Sequence, residues 1–238
     1  MEIMKKRTSV KAGLIKFWQT YRHALPLIIY SIIYLLWFGH LEKTVTSHYK
    51  VIHVALDDHI PFCEVFVVPY MLWFAYVAFV ILYCFFKDND DYFRTCAFLF
   101  TGMTIFLIVS TLWPNGHHLR PYTMPRDNVF TRLVAMLYQA DTPTNLWPSI
   151  HVYNSIGCHL AVIKSRHLSE IKGVRIGSLI LCVSIIMSTT LIKQHSVFDV
   201  LTAFILAAVM YGVVYSSDML INFYHGLQAR HKRKPKVL

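Results

Sequence analysis

The sequence is short of charge, and most of all of acid. Asp, Glu, Lys and Arg make up 15% of its 238 residues, where a soluble domain carries roughly 25%. That deficit excludes an ordinary soluble globular domain. The cysteines are Cys63, Cys84, Cys96, Cys158 and Cys182, with no Cys-x-x-Cys pair, and four of them fall inside or beside apolar runs. They exclude a disulfide framework and a structural zinc site and read as small core residues. Low-complexity tracts, internal repeats and lipidation motifs are also missing. No small-residue cleavage site follows the first long apolar run, so it reads as a retained span and not a signal peptide.

What is present is apolar surface. Hydrophobic residues make up 55% of the chain, and its mean hydropathy is +0.45. A membrane-spanning helix needs about 20 mostly apolar residues. Six segments qualify or nearly do: 24–39, 65–86, 96–113, 151–163, 176–192 and 197–215. The fourth is the shortest and carries Asn154 and His159. The predicted fold is an all-α integral membrane protein, a six-transmembrane-helix bundle in one domain. Residues 24–217 form its core, with basic tails at 1–23 and 218–238.

Lys and Arg total 23 against 13 Asp and Glu, and the excess sets a predicted orientation. Positive residues gather in the N-terminal tail, in the 164–175 link (Lys164, Arg166, Lys172, Arg175) and in the C-terminal tail. With six spans all three lie on one side, expected to be the cytoplasm. This distribution fits a membrane better than nucleic acid. Segments 40–64, 114–150 and 193–196 then share the opposite face, which carries the polar motifs.

His195 and Asp199 are four apart at the start of the last segment, on one helical face. Asp199 can accept from one imidazole nitrogen and leave the other free and basic, as in a nucleophile or base. His151 follows Pro148 and Ser149. Ser149 is a natural N-cap, and a helix N-terminus is an anion site; His151 beside it suits a general acid. Arg120, before Pro121, can grip two phosphate oxygens. Asn145 and Lys193 lie close in sequence to these motifs and are candidate phosphate contacts. Asp57, Asp58 and His59 read as capping or solvating an outer loop. Ser155 and His159 share the face of His151, as polar-pocket lining or as interhelical hydrogen-bond partners.

Together these stretches resemble the type 2 phosphatidic acid phosphatase superfamily, which carries Lys-x6-Arg-Pro, Pro-Ser-x-His and Ser-Arg-x5-His-x3-Asp motifs. The second is complete as Pro148-Ser149-Ile150-His151. The third survives as Ser188-Thr189, His195 and Asp199, the first only as Arg120-Pro121. The resemblance covers about the last two-thirds of the chain. Trp113 stands where the family has lysine and Thr189 where it has arginine, so two cations are missing; Lys193, His117, His118 and Arg126 are candidate substitutes. Ile150 is similar to the inositol-phosphorylceramide synthase branch, and the reduced third motif to sphingomyelin synthases.

The resemblance implies a two-step reaction without metal or cofactor. His195 attacks phosphorus and forms a phosphohistidine, oriented by Asp199. His151 protonates the leaving oxygen and then activates the acceptor, with Arg120 and the Ser149 helix end stabilising charge. The expected activity is hydrolysis of a lipid phosphomonoester or diphosphate in the bilayer, with lipid phosphate or phospholipid as substrate and no nucleic-acid partner. Head-group transfer to a lipid alcohol is the second expectation, and a non-catalytic transporter or lipid-binding protein on the same fold the third. The expected location is the plasma membrane, with the site facing away from the cytoplasm.

Overall fold

The computed structural model describes residues 18, 20–216, 221–223 and 226. Most of the two basic tails lies outside the described residues. Among the described residues seven α-helices form the framework: α1 (Leu25–Thr44), α2 (Val67–Lys87), α3 (Asn89–Leu112), α4 (Val129–Ala140), α5 (Ile150–Lys164), α6 (Lys172–Leu191) and α7 (Val197–Val214). Two short strands, β1 (Lys50–Val51) and β2 (Asn115–Gly116), pair in parallel.

Among the described residues five helical segments are long and apolar enough to cross a membrane: Arg22–Thr44, Glu64–Lys87, Asn89–Leu112, Lys172–Leu191 and Val197–Val214. Their outward surfaces are mostly apolar, with Leu36, Phe79 and Ile205 each about two-thirds exposed or nearly so, a pattern suited to lipid and not to water. The chain is a multi-pass, all-α membrane protein.

The sixth expected span, α5, has 15 residues, about 22 Å of helix, and fails the length test taken alone. It is the central helix, packed against α2, α3, α6 and α7. Nine of its side chains are buried, among them Tyr153, Asn154 and Cys158. Shielded on all sides by protein, it does not need a lipid-facing stripe. Gly102 and Gly157 permit the close approach to α3: a Cβ at Gly102 would lie 2.0 Å from the Tyr153 ring, and one at Gly157 2.6 Å from Phe98.

Local chemistry ends each helix. Asp88 separates α2 from α3, and its carboxylate accepts from the amides of Asp90 and Asp91. Arg166, from the α5–α6 link, lies 3.8 Å from Asp88, so both links share one end of the bundle. At the other end the Cys63 amide donates to the Leu191 carbonyl. Segments 45–63, 113–149 and 192–196 meet there, and there the motifs lie. Gly116 bridges to Thr144 as well as to β1; a Cβ on it would come within 2.6 Å of the Pro143 carbonyl.

The 114–150 connection is not a bare loop. It holds α4, which Asn128 caps by accepting from the Thr131 amide. Phe130, Val134, Leu137 and Tyr138 pack it against Val67 and Tyr70 of α2 and against Ile192.

Candidate functional site

Two helix N-termini converge at the motif end. Ser149 caps α5 by accepting from the Val152 amide. Ser196 caps α7 by accepting from Phe198, while the Asp199 carboxylate accepts from the Ser196 amide at 3.0 Å. The Ser149 amide donates to the Asp199 carbonyl, which ties the second motif to the third. Both helix ends are positive poles, but the first amides of α7 are already engaged by Asp57 and Ser196.

Across this junction three side chains form a line. His195 Nδ1 lies 3.4 Å from Asp199 Oδ2, and His195 Nε2 lies 3.3 Å from His151 Nδ1. With Nδ1–H of His195 directed at Asp199, its Nε2 lone pair accepts from His151. The capping contact of Asp199 is shorter than its histidine contact, so this carboxylate does both jobs. Its other oxygen, Oδ1, is buried without a partner.

His151 is stacked on Tyr70 at 4.5 Å and packed on Trp73 at 4.4 Å between ring centres, which fixes its plane. His195 is 3% exposed and Asp199 0%. Burial, aided by the nearby Arg120 guanidinium, pushes the His195 imidazole down to about 3. It is therefore neutral at ordinary pH, the form a nucleophile requires.

Arg120 reaches this region differently from the sequence expectation. Its Nη1 donates to the carbonyls of Tyr138 and Asp141, and its Nη2 to Thr142 and to the Gln194 side chain. Its guanidinium also lies over the Tyr138 ring. Only Nε is left, buried and without a partner. Gln194 completes the network by donating to Asp141 at 3.2 Å. Burial and the charge of Glu42 push the Asp141 carboxyl up to about 6.

The remaining candidates are held by neighbours. Lys193, at φ 55°, donates its ammonium to the carbonyls of Asp57 and Ile60. Asn145, also at φ 55°, donates to Glu42 at 2.9 Å while its Oδ1 is buried and unpartnered. His117 accepts from the Leu119 amide and donates to the Gln194 carbonyl; burial pushes it down to about 4. Arg126 pairs with Glu64 at 3.1 Å, and His118 packs on Tyr49. Among the described residues no cluster of three or more His, Cys, Asp or Glu is arranged to hold a metal.

Of the residues read as capping or solvating an outer loop, Asp57 caps and is buried: it accepts from the Val54 amide, and also from the Ser196 hydroxyl and the Val197 amide, clamping the N-terminus of α7. Asp58 does stay outside, 2.8 Å from His53. Lys50 places its ammonium 4.5 Å over the ring of Trp113. Gln194 and Tyr70 carried no spacing signal. Deeper in the bundle, His159 and Tyr76 both hydrogen-bond Ser178, and Ser155 bonds back to the His151 carbonyl. The interhelical reading is the one observed for His159, while the Ser155 bond stays within α5.

A groove of about 420 Å³ opens at this end, lined by Lys50, Trp113, Asn115, Trp147 and Phe198 among others. It flanks the second motif at Trp147 and the third at Phe198. A second cavity of about 560 Å³ is lined by His53, Asp57, Asp58, His118 and Lys193. Neither is lined by His151 or His195. Comparison of the chain with protein-family models, with curated proteins and with solved structures finds no match in any of the three.

Proposed function

We propose that this chain is a membrane-embedded lipid phosphatase of the type 2 phosphatidic acid phosphatase kind, with α5 as the sixth span. The observation that carries the reading is the line His151–His195–Asp199, drawn from two motifs 44 residues apart onto the converging N-termini of α5 and α7. The Lys and Arg bias supports a site facing away from the cytoplasm, in keeping with a plasma-membrane enzyme. The apolar groove walled by Trp113, Trp147 and Phe198, with Lys50 at its edge, supports an amphiphile with an anionic head.

In this reading neutral His195 attacks phosphorus through Nε2 as the bond to the lipid oxygen breaks. His151, charged by the proton that the acidic phosphate brings, gives that proton to the oxygen. His151 then takes a proton from water, the hydroxide attacks the phosphohistidine, and phosphate leaves while His195 is restored. Asp199 holds the ring, and the N-terminus of α5 with the nearby Arg120 guanidinium stabilises the growing charge. A phosphoryl group bound between the rings needs their nitrogens roughly 6 Å apart, from reaction and hydrogen-bond distances. Substrate therefore has to open the 3.3 Å contact.

Head-group transfer to a lipid alcohol is the second reading. It is favoured by the near absence of water exposure at His195, since a dry centre suits an acceptor arriving from the bilayer.

The test is a lipid and phosphate balance on purified protein. Phosphatidate and phospholipid donors are supplied with and without diacylglycerol or ceramide, beside His195→Ala. Free phosphate that vanishes in the mutant is the expected result. A new phospholipid without matching phosphate moves the assignment to transfer. No turnover on any donor overturns the enzyme reading in favour of a lipid-binding protein or transporter.

A further inference from the structure

Helix α4 carries more apolar surface than the protein beneath it covers. Besides its packed face, a second stripe of Val129, Leu133 and Met136 recurs at i, i+4 and i+7 and so runs in line along the helix. Val129 is 68% exposed, Met136 64% and Leu133 38%. Around the helix this stripe borders the packed residues Phe130 and Leu137 on one flank, with Arg132 and Gln139 on the other. The apolar arc thus continues from the protein contact out to the surface and stops at a polar edge.

The position of α4 says what covers the stripe. It packs against Val67 and Tyr70, in the first turn of the span Glu64–Lys87, so it lies level with the end of the membrane-crossing region. Phe66, packed in the same cluster, also lines an apolar groove with Val65, Leu72 and Ile180 between α2 and α6. The packed face of α4, which the stripe borders, is therefore joined through Phe66 to the wall that faces hydrocarbon. On the polar edge Arg132 pairs with Asp127 at 3.0 Å, both exposed.

We infer that α4 is an interfacial membrane helix. Its Val129–Leu133–Met136 stripe is immersed at the boundary between head groups and acyl chains, and its Arg132–Gln139 edge stays in water. The Tyr138 carbonyl of its last turn holds Arg120, so seating α4 in the bilayer also fixes that arginine. The inference stands whether or not the chain hydrolyses lipid phosphates.

Spin-label accessibility tests it on the full chain in phosphatidylcholine–phosphatidylglycerol vesicles. Cys63→Ala removes the one partly exposed thiol. A single nitroxide is then placed through Leu133→Cys, Met136→Cys, Arg132→Cys or Gln139→Cys. The ratio of oxygen to nickel-chelate collisions should be several-fold higher at 133 and 136 than at 132 and 139. Equal ratios at all four overturn the inference. So does shielding of 133 and 136 from both reagents, which marks a second protein copy on the stripe. Hydroxyl-radical footprinting of the unsubstituted protein is the check that needs no variant. Fully exposed Tyr122 should be modified and Met136 protected; ready oxidation of Met136 in vesicles contradicts the assignment.

Discussion

His151 and His195 touch: Nδ1 of one lies 3.3 Å from Nε2 of the other. One ring stands in the first turn of α5, the other in the turn before α7, so the contact exists only because those helix ends meet. The two rings have different expected roles, and substitution should separate them. His195→Ala should abolish both turnover and the acid-labile phosphoenzyme. His151→Ala should slow turnover by about 10²–10⁴ while a trapped phosphohistidine still forms. A phosphoenzyme of normal yield in His195→Ala would remove His195 from the nucleophile role.

The pH dependence of stability centres on Asp141. Its carboxyl is raised from an ordinary 3.8 to about 6 by burial and by Glu42. A raised folded value means the folded chain holds the proton more tightly than the unfolded one. That contribution is complete below the ordinary value and is lost as pH rises through about 6. Asp141→Asn should therefore raise stability at pH 7.5, by at most about 3 kcal/mol, with a higher melting point, and leave both nearly unchanged at pH 4. A larger gain at pH 4 than at pH 7.5 would reverse the sign and refute the account.

Asp57 should matter more than a loop acid. It accepts three hydrogen bonds, two of them from the first residues of the α7 N-terminus. Asp57→Ala leaves the Val54 and Val197 amides and the Ser196 hydroxyl without this acceptor. A loss of roughly 2 kcal/mol or more is expected from the cap and its buried bonds, together with lower activity as His195 and Asp199 shift. Asp58→Ala, on an exposed residue, is the control. Matching melting curves for the two variants would show that Asp57 does not clamp α7.

Gly102 should tolerate no side chain. Its Cβ would meet the ring of Tyr153 at 2.0 Å, and that ring is pinned by stacking on Phe98 and by its hydroxyl bond to the Phe98 carbonyl. Gly102→Ala should cost about 1–3 kcal/mol through overpacking and show as a lower melting temperature in detergent. Gly212→Ala, where a Cβ meets nothing within 4 Å, should be neutral by the same assay.

The sequence by itself determined the membrane class, because a long apolar run must satisfy its backbone internally and does so as a helix whatever its neighbours. It also determined local pairs. Ser149 and Ser196 cap the helices they precede, and His195 and Asp199 share a face because i and i+4 always do. Helix α4 was legible too, in its Asn128 cap and in Val129, Phe130, Leu133, Val134 and Leu137, but a search for spanning length passes over 12 residues.

Tertiary structure alone decided the rest. Asp57 meets Ser196 across 139 positions, and Arg120 meets Gln194 across 74. No periodicity encodes such contacts; they follow from which helix ends the packing of α5 brings together. The same packing decided that 15 residues suffice for a central helix, since protein and not lipid surrounds it. It also decided that Arg120 presents only Nε, because carbonyls at and just beyond the end of α4, together with the Gln194 side chain, had already engaged its other donors.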